Sequence, residues 1–482
     1  MLENKKGDNF SEWYSEIIKK AELADLRYNV QGFLVHRWWS TFIMKKMFEM
    51  YKKEFERTGH KEVMFPLLIP KSNFVKEADH AEGFGAQVFW VTEAGTRHKK
   101  LEEPLGIRPT SETAMYTMYS YWIRSWRDLP FKRYQEANVY RYEPTTRPFL
   151  RGREFFFLEA HNVFETKEEA EAQILEDMEM SKNVLYKELG MPFLGFKRPQ
   201  WDKFAGSVYT CAADTLSPDG RALQQPSSHF YGQNFSKAFG IKFKDEKKKD
   251  KYGWQTTYGP APWRFMASII SIHGDNKGLI LPFSLAPYQI VIIPIFFKGK
   301  EKGVLKECKK VAKLLKKYRV HIDDRPEYTA GSKYHDWEIK GVPVRIEIGP
   351  QDIKKKQAVV VRRDTSKKHA IKQKDLLKHI KKLEKEILDT LRTRAEKNLK
   401  QNIRSANTYS ELKNKIRKGG FIKVNFCSID LNGEKCAEKI KEELQAEVRG
   451  ERIDKREKIK PGSKCVICGK KASHVVYIAK QY

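Results

Sequence analysis

The chain has 482 residues, 32% of them charged and 40% hydrophobic, with a formal net charge of +30. That length predicts roughly two to four domains, and the composition excludes a disordered or membrane-embedded chain. The charge excludes an ordinary acidic metabolic enzyme and favours a polyanionic partner such as nucleic acid. A lysine-rich surface without any such partner is the competing explanation, and the runs Lys247 to Lys249 and Lys354 to Lys356 read as solvated loops.

The N-terminus carries no apolar signal segment. Helices are predicted over Ser11 to Ala21, Thr41 to Thr58 and Ser111 to Trp126. Pro109 is placed in the first turn of the last of these, where its missing N–H costs nothing. Thr166-Lys167-Glu168-Glu169 is a capping box that opens a helix running to about Leu189. Between these helices, Val63 to Ile69, Gln135 to Tyr142 and Glu154 to Phe157 read as strands. The absence of βαβ regularity predicts an α+β domain around an antiparallel sheet.

The apolar stretch Leu279 to Phe297 holds Pro282, Ser284, Pro287, Gln289 and Pro294, so it reads as a loop feeding a buried strand rather than a membrane span. That strand is Ile290 to Ile293. A helix from Glu301 to Tyr318, the strand Val320 to Ile322, a helical piece near Tyr334 to Lys340 and the strands Val342 to Ile348 and Ala358 to Val361 follow. Such alternation predicts a parallel or mixed α/β module of about a hundred residues. From Asp375 to Leu391, Leu376, Leu377, Ile380, Leu383, Ile387, Leu388 and Leu391 keep helical spacing against a Lys- and Glu-rich face. This is a linker helix packed on the preceding module, or else a nucleic-acid arm. The expected divisions are 1–284, 285–395 and 396–482.

Six cysteines are too few for a disulfide scaffold, which predicts a reducing, cytoplasmic setting. Cys427 and Cys436, with the knuckle Cys465-Val466-Ile467-Cys468 and Gly469 behind it, supply four thiolates that suit a tetrahedral zinc ion. Such a closed site would be structural; four reduced core cysteines are the alternative. Cys211 and Cys308 read as ordinary core residues.

The segment Arg108-Pro109-Thr110-Ser111-Glu112-Thr113 places a hydroxyl and a carboxylate at a helix start. Further on, Arg141-Tyr142-Glu143 and Arg151-Gly152-Arg153-Glu154-Phe155 flank a short loop through Arg147. Arginines facing each other on such a strand pair can grip a phosphate, because guanidinium forks match phosphate oxygens bidentately.

This pattern resembles motif 2 of class II aminoacyl-tRNA synthetases. Gly259 to Asp275, with Arg264, resembles motif 3, and Val63 to Pro70 behind the helix from Thr41 resembles motif 1. Arg108 to Thr113, Glu159-Ala160-His161, Lys203-Phe204-Ala205-Gly206, Gly232 to Lys237 and Trp337 to Pro343 resemble the prolyl-tRNA synthetases of the archaeal and eukaryotic type. The similarity runs over essentially the whole chain, to the terminal Tyr482.

The resemblance implies a class II core (an antiparallel sheet flanked by helices), an α/β anticodon-binding domain and a small zinc-associated α/β C-terminal domain. It further implies a homodimer, with ATP, Mg²⁺ and structural Zn²⁺ as cofactors and proline and tRNA as partners. Arg141 would hold the ATP α-phosphate, Arg151 would lie in the nucleotide loop, and Arg264 and Phe155 would enclose the adenine. Glu143 belongs to the same catalytic set, and Gln224 would lie by the adenosine. Thr110 and Glu112 would receive the secondary ammonium of the amino acid. Phe157, His161 and Phe204 would wall its ring, with Ser228 and His229 nearby. The chain departs from the family at Phe157, usually Trp, and at Gln225-Pro226, usually a Gly pair. It departs again at Pro260 to Trp263, one residue longer and bringing a bulky indole near the pocket, and at Gln351, usually Arg. Its motif 2 loop is one residue short. Two other readings therefore stay open: a paralogue charging a different, proline-like amino acid, and a catalytically idle tRNA-binding homologue.

Overall fold

The computed structural model describes residues 2–78 and 87–482. Local signals act where they stand in the chain. Thr166 and Glu169 form the capping box, with Glu169 N–H donating to Thr166 Oγ1 at 3.2 Å and Thr166 N–H to the Glu169 carboxylate at 3.0 Å. The helix Lys167–Ser181 they open continues as a wider π turn through Lys182–Glu188. Asn9 caps the helix Phe10–Lys20, which buries Trp13, Tyr14, Ile17 and Ile18.

Six antiparallel strands form the middle of the main sheet, in the spatial order Phe131–Tyr140, Glu154–Phe164, Trp254–Gly259, Ala222–Gly232, Tyr209–Leu216, Leu194–Lys197. The helices Trp38–Arg57 and Pro262–His273 pack against each other and supply much of the main core. Lys61–Glu62 adds a short parallel strand at one edge. At the other edge Leu194–Lys197 pairs with Glu447–Arg452, so the C-terminal strands His474–Ala479, Phe421–Phe426 and Ile403–Ser405 extend the same sheet to eleven strands. The N-terminal and C-terminal parts thus share one hydrogen-bonded ladder.

A second sheet of five strands carries the predicted α/β module, in the order Val320–Ile322, Ile290–Pro294, Val344–Ile348, Gln357–Arg362, Lys368–Lys372. The first three pair in parallel, and the last two each pair antiparallel with the strand before them. Ile290–Pro294 is buried along its whole length, as its unbroken apolar run requires. The helix Leu376–Gln401 lays Leu376, Ile380, Leu383, Ile387 and Leu391 on this module's core and runs on past residue 395.

Two local expectations shift. The single strand over Val63 to Ile69 becomes Lys61–Glu62 and Leu68–Pro70, because Pro66 between them cannot donate to a ladder. Pro109 lies outside its helix, which is Glu112–Trp122 with Ser111 at the N-cap. Among the described residues, no helix is long and apolar enough to cross a membrane.

The seam between the two parts of the large sheet depends on one glycine. A register shift between Val448 and Gly450 bends the strand there. Gly450 has φ +110°, and a Cβ at this position would meet the Lys197 carbonyl oxygen at 2.0 Å. Gly450→Ala should therefore lower stability by more than about 1 kcal/mol from backbone strain, with roughly 1–3 kcal/mol added by the clash. A thermal melt matching that of the unsubstituted chain would contradict this account of the seam.

Candidate active site

Strand alternation aims Phe155, Phe157 and Glu159 at one face of the large sheet, opposite the start of the helix Glu112–Trp122. Together with residues of Ala222–Gly232, Trp254–Gly259 and the helix Pro262–His273, they line a cavity of about 210 Å³. Thr110, Glu112, Arg141, Phe155, Phe157, Phe204, Gln224, His229 and Arg264 all reach it. Phe157 lies against bare backbone: a Cβ on Gly259 would stand 2.5 Å from its ring.

Part of the cavity lining is acidic. Glu112 and Glu159 are each 2% exposed, and the Thr110 hydroxyl lies between them, 2.9 Å from Glu159 Oε1. Tyr231 donates to Glu112 Oε1 at 2.7 Å. Burial alone would raise the Glu112 carboxyl, but His161, Thr110 and Tyr231 hold it below the usual carboxylate range, so it is ionised at neutral pH. Glu159 also receives the Ser111 N–H at 3.2 Å and the Ser111 hydroxyl, which fixes the helix start.

The same lining also carries positive charge, from Arg141 and Arg264. Arg141 donates through Nε to the Pro109 carbonyl at 3.0 Å, and its guanidinium lies 5.3 Å from the Phe155 ring centre. Arg264 donates to the Gln224 carbonyl at 3.4 Å. Burial first, then the nearby charges of Arg141 and Arg151, push Arg264 down to about 10, which leaves it charged at neutral pH. At the rim Arg151 pairs with Glu143 at 3.1 Å. On the remaining wall burial pushes His229 down to about 3. Its neutral ring contacts Thr210 at 2.8 Å and Ser227 at 3.1 Å, with its centre 4.5 Å from that of Phe204. Such a site suits a ligand with a cationic head, an apolar middle and an anionic tail.

Some expected residues sit elsewhere. His161 lies behind Glu112, its Nδ1 3.0 Å from the Tyr116 hydroxyl. Ser228 faces the other side of the sheet and donates to Asp177, while Ser227 faces the cavity, since neighbours on a strand point in opposite directions. Trp263 packs behind Phe155 and Phe149, with ring centres 6.1 and 5.8 Å away, and does not line the cavity. Gln225 does line the cavity, but its amide is turned to Ser268 at 2.9 Å and to Thr215 at 3.2 Å. Arg198, Ser227 and Thr257 line the cavity without having been singled out from the sequence, and Glu159, quoted there only within Glu159-Ala160-His161, lines it too. Glu159 had a legible signal, its period-two spacing with Phe157 and His161.

In the C-terminal part, the sulfurs of Cys427, Cys436, Cys465 and Cys468 lie within 4.8 Å of one another. The Cys427–Cys436 separation is 3.7 Å, close to the edge of about 3.8 Å in a tetrahedron with zinc–sulfur bonds of about 2.3 Å. These four thiols could hold a zinc ion.

Glu159→Gln should lower stability by about 1–3 kcal/mol, because an amide NH₂ would face the Ser111 donors that the carboxylate now receives. An unchanged melting temperature would contradict the role given to Glu159.

The chain matches three family descriptions: tRNA synthetase class II core domain (G, H, P, S and T) over residues 89–273, anticodon binding domain over 289–383, and prolyl-tRNA synthetase C-terminal domain over 409–482. It is 50% identical to the proline–tRNA ligase of Thermofilum pendens across 99% of this chain and 98% of that one. It is 42% identical to the proline–tRNA ligase of Thermococcus kodakarensis across the whole of both chains. A solved structure of Giardia lamblia prolyl-tRNA synthetase in complex with prolyl-adenylate superposes with a TM-score of 0.96 at 34% identity, covering 100% of each chain.

Proposed function

The chain belongs to the proline–tRNA ligase family, and on that footing we propose that it activates proline with ATP and transfers it to its tRNA through the residues described above. The observation that carries this reading is that Thr110, Glu112, Arg141 and Arg264 line one cavity together with Phe155, Phe157 and Phe204. Proline supplies the matching cationic head, apolar ring and carboxylate.

Glu112 and Thr110 receive the secondary ammonium, a charge-assisted pairing. Phe157 and Phe204 take the ring, with His229 packed against Phe204. ATP enters with Mg²⁺, its adenine between Phe155 and Arg264 beside Gln224, its α-phosphate on Arg141, and its outer phosphates toward Arg151, which Glu143 holds by an ion pair at 3.1 Å. A proline carboxylate oxygen attacks the α-phosphorus, the bond to the bridging oxygen breaks, and pyrophosphate leaves. A terminal ribose hydroxyl of tRNA then attacks the prolyl carbonyl carbon, loses its proton, and AMP leaves. No side chain acts as a nucleophile. Positioning and fixed positive charge do the catalysis, because the buried arginines are already oriented when charge develops.

The divisions 1–284, 285–395 and 396–482 are read as catalytic, anticodon-binding and zinc-binding domains. The net charge of +30 supports a tRNA track across them. A homodimer is supported by apolar residues around the motif 1 region, where Met64 is 93% and Trp38 55% exposed. All six cysteines are free thiols, which supports a reducing, cytoplasmic setting.

Pyrophosphate exchange screened over all amino acids tests the reading. Proline should be the best substrate, and strong exchange with a non-cyclic amino acid and none with proline would sink it. Arg141→Ala should cost on the order of 3 kcal/mol in activation, about a hundredfold in rate, while tRNA binding stays near normal. Near-normal exchange in that variant would remove Arg141 from the reaction. Metal analysis should find one zinc per chain, lost together with thermal stability in Cys465→Ser. A metal-free preparation of full stability would count against the site.

A further inference from the structure

A cluster of buried charge spans the seam of the large sheet, and the reaction as described makes no use of it. Asp214 is 0% exposed, and Arg198 and Arg449 are each 1% exposed. Arg198 reaches Asp214 through Nη1 at 3.0 Å and Nη2 at 2.6 Å. Arg449, carried by the C-terminal strand Glu447–Arg452, reaches the same carboxylate through Nε at 2.8 Å and Nη2 at 3.3 Å. Burial would raise the Asp214 carboxyl, but the two guanidinium groups hold it down to about 2, so the cluster is ionised throughout the working range.

Arg198 lines the active-site cavity, yet it has little left to offer a substrate. Its four η hydrogens are matched by four acceptors: two on Asp214, the Arg449 carbonyl at 2.9 Å, and Gln224 Oε1 at 3.0 Å. Its Nε faces Asp202 at 3.8 Å. Gln224 in turn accepts from Arg264 through its main-chain carbonyl at 3.4 Å. A continuous series of contacts therefore runs from the C-terminal strand to Arg264 in the cavity lining.

The local backbone is shaped for this. The bulge at Gly450 turns the preceding side chain, Arg449, into the catalytic part. The chain terminus reinforces the contact, with the Ala222 N–H donating to the Lys480 carbonyl at 2.7 Å, two residues before Gln224. Gln481 Oε1 also accepts from Arg449 Nη1.

We propose that Arg449 is a positioning residue for the nucleotide half of the active site, acting through Asp214 and Arg198 on Gln224 and Arg264. The C-terminal domain then completes the ATP site from behind while leaving the amino-acid end alone. Arg198 is its relay rather than a ligand of the substrate. This rests on the reading of Gln224 and Arg264 as adenosine contacts.

Full-length variants in pyrophosphate exchange provide the test. R449M should raise KM for ATP about tenfold and change KM for proline by less than about twofold, a split that general loosening of the fold would not produce. R449K, which keeps the charge but not the fork, should fall between. In the double variant R449M/Q224A, KM for ATP should equal that of Q224A alone, since the relay is already cut. An unchanged KM for ATP, an equal rise in both constants, or multiplying effects in the double variant would each overturn the proposal. If R449M does not fold, R449K and R449K/Q224A carry the same comparison. Loss of proline-dependent exchange in the unsubstituted chain would instead strike the functional reading itself, so the two failures are distinguishable.

Discussion

Two arginines and two carboxylates lining one cavity set the terms for everything around them. Charged side chains are costly to bury unless hydrogen bonds and partners compensate. Each of the four has such compensation: Glu112 from Tyr231, Glu159 from Ser111, Arg141 from the Pro109 carbonyl, Arg264 from the Gln224 carbonyl, with the one Thr110 hydroxyl proton serving the two carboxylates in turn. Those partners sit on separated stretches of chain, so the sheet and the helix over it must be held in fixed register. In return, no reorganisation of solvent is needed when a bound ligand develops charge.

The same constraint explains the seam. Arg198 and Arg449 could not both be buried without Asp214, and Asp214 could not stay ionised without them. A shared carboxylate of this kind binds two parts of the chain more specifically than apolar packing does, because only one geometry satisfies every donor. Gly450 permits the close approach to Lys197 that brings the strands together.

What was legible in the sequence was what local chemistry or period determines. The capping box at Thr166 and Glu169, the apolar stripe from Leu376 to Leu391 and the four-thiol cluster all stand where spacing placed them. So does the pairing of Arg141 and Arg153 across the motif 2 loop, with the Arg141 N–H 2.9 Å from the Arg153 carbonyl. What escaped depends on register and distance. Ser227 rather than Ser228 faces the cavity because bulges at Ala212/Asp214 and Phe230/Gly232 set the phase of that strand, and nothing in a serine pair reveals the phase. Trp263 fills the space over Gly152, where a Cβ would stand 3.0 Å from the indole, and so supports Phe155 from behind. The pairing of Leu194–Lys197 with Glu447–Arg452 leaves no mark in either segment, which kept Arg198 and Arg449 from notice.

The central claim is that one cavity sorts its ligand by charge, ammonium toward Glu112 and phosphate toward Arg141 with adenine against Arg264. The most direct measurement is a crystal structure of the full-length chain with a non-hydrolysable prolyl-adenylate analogue. The account predicts the ring nitrogen within hydrogen-bond distance of Glu112 and Thr110, the phosphate mimic on Arg141, and the adenine between Phe155 and Arg264. A ligand bound in the reverse sense, or an adenine seated away from Arg264, would contradict it.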